Sequence, residues 1–156
     1  MVRLASIVLL LAALGLCGCK AKAPSTTESR LMWEMKHKVL IRNKKLKNPL
    51  QASPLTIAEG KEAFSHYCVA CHGMDGQNTG VPFADRMAPP VPSLASQEVQ
   101  QYTDGQLKAV IDDGIWPSGM PASRGILSDD EIWSIVVFLR NLPKPGSLGE
   151  PEMYSH

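Results

Sequence analysis

A chain of 156 residues, 44% of them apolar, can form one small globular domain but is too short for two packed domains. The net charge of +1 hides an uneven distribution, since residues 20–52 hold nine Lys/Arg and two Asp/Glu, and residues 53–143 hold five and eleven. The two segments therefore carry about +7 and −6, so the chain is neither uniformly basic nor uniformly acidic.

The first segment has the features of a bacterial export signal. Arg3 precedes an apolar run from Leu4 to Leu16, which is too short to span a bilayer. The residues that follow, Cys17-Gly18-Cys19, complete a sequence that resembles the lipobox of bacterial lipoproteins, in which cleavage leaves a lipid-modified cysteine. We expect a signal peptide over residues 1–18 and a lipid anchor at Cys19, with an ordinary cleaved signal as the alternative.

Two segments separate this anchor from the domain. Residues 19–30 are polar and lack apolar periodicity, which predicts a flexible tether to the membrane. Residues 31–52 form a basic arm, in which lysines and arginines alternate with apolar residues. The arm could bind lipid phosphates or an acidic partner, or it could fold back on the acidic domain with its lysines in water.

The domain is expected over residues 53–143, and its first helix should begin near its start. Thr56 and Glu59 fit a capping box, and the helix should continue into the cysteine motif described below. Gly60 and Phe64 lie on one face of this helix. Because a glycine inside a helix costs about 1 kcal/mol relative to alanine, Gly60 predicts the close approach of a second helix.

The motif that follows is Cys68-Val69-Ala70-Cys71-His72. Two cysteines at this spacing can each form a thioether to a haem vinyl group, and the adjoining His72 can then bind the iron as the proximal ligand. A thioredoxin-like site shares the spacing but does not need the histidine, and a zinc site usually brings a second Cys/His pair, which the downstream sequence lacks. We therefore predict one covalent haem c and no disulfide.

Residues 73–94 contain three glycines and four prolines, which disfavour long regular structure and predict a loop around the haem. A carbonyl in this loop could accept the second N–H of His72, with Pro82, Pro89 and Pro90 as candidates. Capping boxes then begin two further helices, at Thr103 with Gln106 and at Ser128 with Glu131. We expect the former helix to stop at Gly114 and the latter to end at Leu142, before Pro143, with a loosely ordered tail over residues 144–156.

A distal iron ligand has to come from the opposite face of the haem. Met74 is too close to His72 in the chain to reach that face. Met120 lies 48 residues beyond His72, in a loop shaped by Gly119 and Pro121, and is the favoured candidate. Met87 is the alternative, and packing as a gap-filling side chain is the alternative role for either methionine.

Residues 53–143 resemble a class I cytochrome c in the order of their motifs, which are Gly60, Phe64, Cys68, Cys71, His72, Met120 and a capped final helix. The resemblance implies an all-α cytochrome c fold, with three to four helices and long loops around one covalently attached haem. It also implies that Gly60 and Phe64 meet Ile135 and Phe138, that Met120 is the distal ligand, and that the protein carries single electrons.

The sequence thus predicts a mono-haem c-type cytochrome that transfers single electrons outside the cytoplasm, tethered to a membrane on its periplasmic or cell-envelope side. Its partners would be redox proteins and the membrane, through the anchor, with no nucleic acid and no small-molecule substrate. We expect an electron carrier and not an enzyme. One alternative is a fixed haem subunit of a larger oxidoreductase or respiratory complex, and another is a gas-binding sensor or peroxidase-like protein with five-coordinate iron.

Overall fold

The computed structural model describes residues 25, 27–28, 31, 35, 45–87, 89–115 and 119–155. The chain divides into two compact units, residues 1–35 and residues 36–156. In the first unit, the side chains of Ser25 and Glu28 are hydrogen-bonded at 2.8 Å. The expected signal peptide, the anchor at Cys19 and most of the tether and basic arm lie outside the described residues.

The described part of the second unit is helical and contains no β-strand, only isolated bridges. Its five α-helices are α1 (Pro54–Tyr67), α2 (Val69–His72), α3 (Gln97–Gln100), α4 (Asp104–Asp113) and α5 (Asp129–Arg140). Two short 3-10 helices cover Ala84–Arg86 and Glu152–Tyr154. The all-α prediction is confirmed, and α1, α4 and α5 are its three longer helices. The single turns α2 and α3 bring the number above the expected three to four.

Helix α1 begins earlier than predicted, because Ser53 and not Thr56 is its N-cap. The Ser53 hydroxyl accepts a hydrogen bond from the backbone N–H of Thr56 at 3.1 Å. Pro54 occupies the first turn, where its fixed φ suits a helix and its missing N–H leaves no donor unsatisfied. The capping box expected at Thr56 and Glu59 was therefore wrong.

The other start signals are confirmed. Thr103 with Gln106, and Ser128 with Glu131, each form both hydrogen bonds of a capping box. Gly114 ends α4 with φ 67°, a left-handed conformation that glycine adopts without steric cost. Helix α5 ends at Arg140, two residues before the predicted Leu142, because a residue that precedes a proline is disfavoured in the helical conformation.

Helices α1 and α5 cross in direct contact at Gly60. A Cβ at this position would lie 2.0 Å from the carbonyl oxygen of Ser134 and 3.0 Å from Cβ of Phe138. The rings of Phe64 and Phe138 pack nearby, with centroids 5.2 Å apart and planes tilted by 55°. The structure confirms the predicted close approach, and the crossing sets where the C-terminal end of α1 lies.

Helix α5 is the centre of the core, because all of its residues from Ile132 to Leu139 are buried. A helix that is buried around its whole circumference needs other elements on every side. Those elements include α1, α4 and the segment before α1, where the Asn48 side chain donates to the carbonyl oxygen of Trp133 at 3.0 Å. Within the described residues, no helix combines the length and the apolar character needed to cross a membrane.

Candidate haem-attachment site

The motif Cys68 to His72 lies where α1 passes directly into α2. Cys68 is both the C-cap of α1 and the N-cap of α2, and its N–H donates to the carbonyl of Phe64 at 2.9 Å. Its own carbonyl accepts from the N–H of Cys71 at 3.2 Å and of His72 at 3.0 Å. The side chains of Cys68, Cys71 and His72 therefore project from a single turn, which we call the attachment turn (residues 68–72).

Both cysteines of the attachment turn are free and half-buried. Burial, with a smaller contribution from Cys71, raises the pKa of the Cys68 thiol to about 12. Thioredoxin-like chemistry depends on a cysteine whose pKa is lowered, so this environment does not suit it. Among the described residues there is no group of three His, Cys, Asp or Glu side chains that could hold a zinc ion.

His72 has a partly buried side chain whose ring is 6.5 Å, centroid to centroid, from the ring of Phe64. Burial lowers the pKa of His72 to about 4, and the nearby carbonyl of Pro92 acts in the opposite direction. Nδ1 of the ring is buried and has no hydrogen bond of normal geometry to any described residue. A neutral imidazole held in this way is the form that binds a metal.

The carbonyl beside His72 thus belongs to Pro92, and not to Pro82, Pro89 or Pro90, the candidates from the sequence. A metal-bound histidine usually donates its second N–H to such a carbonyl, which orients the ring. The buried, unpartnered Nδ1 and the two free cysteines on one turn fit a haem attached through the cysteines, with His72 as an iron ligand.

The two candidate distal methionines lie in loops that approach each other. Met120 is half-buried and packs against the core, and its carbonyl accepts from the N–H of Ile115 at 3.1 Å. Met87 is also half-buried, and its Cε is 3.5 Å from the position a Cβ would have at Gly119. Met74 packs against the core as well, whereas Met153 is 58% exposed.

A comparison with protein families finds a match over residues 55–139, more than half of the chain, to the family described as cytochrome C oxidase, cbb3-type, subunit III. The chain belongs to this family. Its matched region is a c-type cytochrome domain, which implies covalently bound haem c, electron transfer and a haem on the extracytoplasmic side of a membrane. No curated protein matches the chain.

The matched cytochrome c domain also contains a site residue that sequence reasoning missed, the fully buried Asp75. Its carboxylate accepts from the Thr79 hydroxyl at 2.6 Å, from the Gly146 N–H at 2.7 Å and from the Gln77 N–H at 2.9 Å. Burial alone would raise the pKa of Asp75, but these hydrogen bonds stabilise the anion and bring it below its ordinary value. Asp75 therefore orders the loop after His72 as a charged group.

In this cytochrome domain, α4 anchors the loop that carries Met120. The N–H groups of Ser123 and Arg124 donate to the last turn of α4, at the carbonyls of Ile111 and Asp112, both at 3.1 Å. The Arg124 guanidinium also pairs with Asp113 at 2.8 Å. Buried Asp112 accepts from Lys108 at 2.9 Å on the inner side of the same turn. These bonds attach the described residues 119–127 to a rigid element.

Proposed function

We propose that the protein is a mono-haem c-type cytochrome that transfers single electrons outside the cytoplasm. The observation that carries the proposal is the attachment turn, where two free cysteines and the partly buried ring of His72 project from one turn of helix. Cys68 and Cys71 would hold the haem through thioethers, and His72 would bind its iron. The sequence has one C-x-x-C-H motif, which supports a single haem.

When bound, the haem would supply the redox chemistry, because its iron can change reversibly between the ferric and ferrous states. The residues of the chain would keep the same iron ligands in both states. His72 lies beside the carbonyl of Pro92, which could accept the second N–H of the iron-bound ring and orient it. Met120 would be the second protein ligand of the iron, because its loop is anchored on α4, with Met87 as the alternative. If His72 and a methionine both bound the iron, no coordination site would be left for a substrate, which suits a carrier better than an enzyme.

Production of the chain in a bacterium that attaches haem c tests this function. We expect denatured protein to keep the haem mass and to show the absorption spectrum of reduced c-type haem. Cys68→Ala and Cys71→Ala should each remove one thioether, and the double variant should lose covalent haem. Haem-free native protein, or a five-coordinate high-spin spectrum, would contradict the proposal and favour zinc, thiol or gas-binding chemistry.

We further propose that the protein is tethered to the membrane on the periplasmic or cell-envelope side by a lipid on Cys19. The support is in the sequence, where an apolar run precedes Cys17-Gly18-Cys19 and a polar tether follows it. Cys19→Ser should release haem-loaded protein from membranes into the soluble fraction, whereas Cys17→Ser should leave it attached. Tight membrane association of the Cys19 variant would contradict the anchor.

The family description favours one alternative, a fixed haem subunit of a larger oxidase complex, because the matched family is named for a subunit of cbb3-type oxidase. Mild detergent extraction of native membranes distinguishes the two functions. A mobile carrier should migrate as a single chain, and a fixed subunit should migrate with other haem proteins in constant proportion. In both cases the partners are redox proteins.

A further inference from the structure

The C-terminal segment, residues 143–155, lies beyond the part of the chain that matches the family. It nevertheless contacts the attachment turn, because the Tyr154 hydroxyl donates to the carbonyl oxygen of Ala70 at 3.0 Å. Ala70 lies between the two cysteines that would hold the haem. The segment therefore reaches the part of the chain to which the thioether edge of the haem would be attached.

The aromatic ring of Tyr154 contacts a second segment, the loop that follows the attachment turn. Its centroid is 6.0 Å from that of Phe83, and the two rings meet edge to face at 77°. This loop continues to Pro92, whose carbonyl lies beside His72. Tyr154 thus joins the two segments that surround the proximal histidine, through its hydroxyl on one and its ring on the other.

Further contacts hold the rest of the C-terminal segment in place. The Gly146 N–H donates to the buried carboxylate of Asp75 at 2.7 Å, and the Gln77 amide donates to the Pro143 carbonyl at 2.9 Å. Pro151 is fully buried. Residues 144–156 were expected to be a loosely ordered tail because of their prolines and glycines. The structure differs, because hydrogen bonds to distant residues and the burial of Pro151 hold this segment on the domain.

We propose that residues 143–155 form a strap that holds the attachment turn against the following loop and limits the access of water to this edge of the haem, with Tyr154 as the positioning residue. The inference rests on the proposed attachment of haem at Cys68 and Cys71. Water at the haem edge stabilises the more highly charged ferric state, so a loosened strap lowers the reduction potential. Tyr154 would act through Ala70 and Phe83 and not as an iron ligand.

The test compares variants of the full-length, haem-loaded chain. Tyr154→Phe keeps the ring and removes the hydrogen bond to Ala70, and Tyr67→Phe, on an exposed tyrosine of α1, is its matched control. A net hydrogen-bond contribution of about 0.5–1.5 kcal/mol corresponds to about a 2- to 12-fold change in local opening. We therefore expect amide hydrogen exchange at His72 and Gly73 to become about 2- to 12-fold faster in Tyr154→Phe only.

A second pair of variants removes whole side chains from the strap. Tyr154→Ala should speed exchange at the turn further and should lower the reduction potential. Met153→Ala, at an exposed residue of the same 3-10 helix, should change neither. Equal exchange in the variant and control of each pair would overturn the strap. Faster exchange with an unchanged potential would overturn the positioning role, because the contact would then be structural only.

The mass of the native chain keeps this inference separate from the proposed function. A native chain without covalent haem refutes the attachment site itself. A native chain with covalent haem, whose Tyr154 variants behave like their controls, refutes the strap alone.

Discussion

Replacement of Gly60 with alanine tests the helix crossing that places the attachment turn. The new Cβ would lie 2.0 Å from the carbonyl oxygen of Ser134. Even the closest favourable carbon–oxygen contacts are about 3.3 Å, so α1 and α5 would have to separate by about 1.3 Å. Because the obstacle is backbone, no side-chain rotation relieves it. We therefore expect an overpacking cost near the upper end of its usual range, about 3 kcal/mol.

Alanine also has the better helix propensity, which returns about 1 kcal/mol. The expected net loss in free energy of unfolding is thus about 2 kcal/mol, or a fall of about 10 °C in Tm for a domain of this size. Guanidinium unfolding of the haem-loaded protein, followed by circular dichroism, measures the loss directly.

Ala58→Gly is the control, because Ala58 lies on the exposed side of the same helix. It should cost about 1 kcal/mol through helix propensity alone. A Gly60→Ala variant as stable as the native protein, or more stable, would refute the reasoning, because it would mean that α1 and α5 do not touch at this position.

Three further predictions concern the iron, a buried carboxylate and the basic arm. Met120→Ala should abolish the near-infrared band of sulfur-to-iron charge transfer and lower the reduction potential, while the haem stays attached. Met87→Ala should keep the band. The reverse pattern would assign the distal ligand to Met87. The pKa of Asp75 is lowered from 3.8 in the folded state, so its ionised form stabilises the fold above that value and this contribution is lost as the pH falls through the lowered pKa. Asp75→Asn should therefore cost stability at pH 7, by denaturant unfolding, and the difference from the native protein should shrink below about pH 4; a difference that does not vary with pH would contradict this. Lys45 and Lys47 are exposed, so replacing both with glutamine should change the free energy of unfolding by less than about 0.5 kcal/mol. The same double variant should be reduced more slowly by an acidic partner at low salt. Lost stability with unchanged reduction rates would instead support an arm that folds back on the domain.

Local patterns predicted much of this protein. The spacing of Cys68, Cys71 and His72 places their side chains on one turn when this segment is helical. The capping boxes at Thr103 and Ser128 depend only on residues within one helical turn. Gly60 predicted the contact of α1 with another helix, because a glycine destabilises a helix unless its lack of a side chain allows close packing. The start of α1 was misplaced because two overlapping cap signals compete there, and Pro54 favours the earlier one.

Only the tertiary structure decided which distant groups meet. The bond from Gly146 to Asp75 spans 71 residues, and the bond from Tyr154 to Ala70 spans 84. No periodicity or spacing encodes such pairs, because each depends on how the described part of the second unit packs around α5. The same holds for the carbonyl of Pro92 beside His72, since several prolines in one loop are equivalent until the loop is folded. The sequence by itself determined the chemistry of the attachment turn and the helices that carry it, whereas packing determined the polar and aromatic surroundings of that turn.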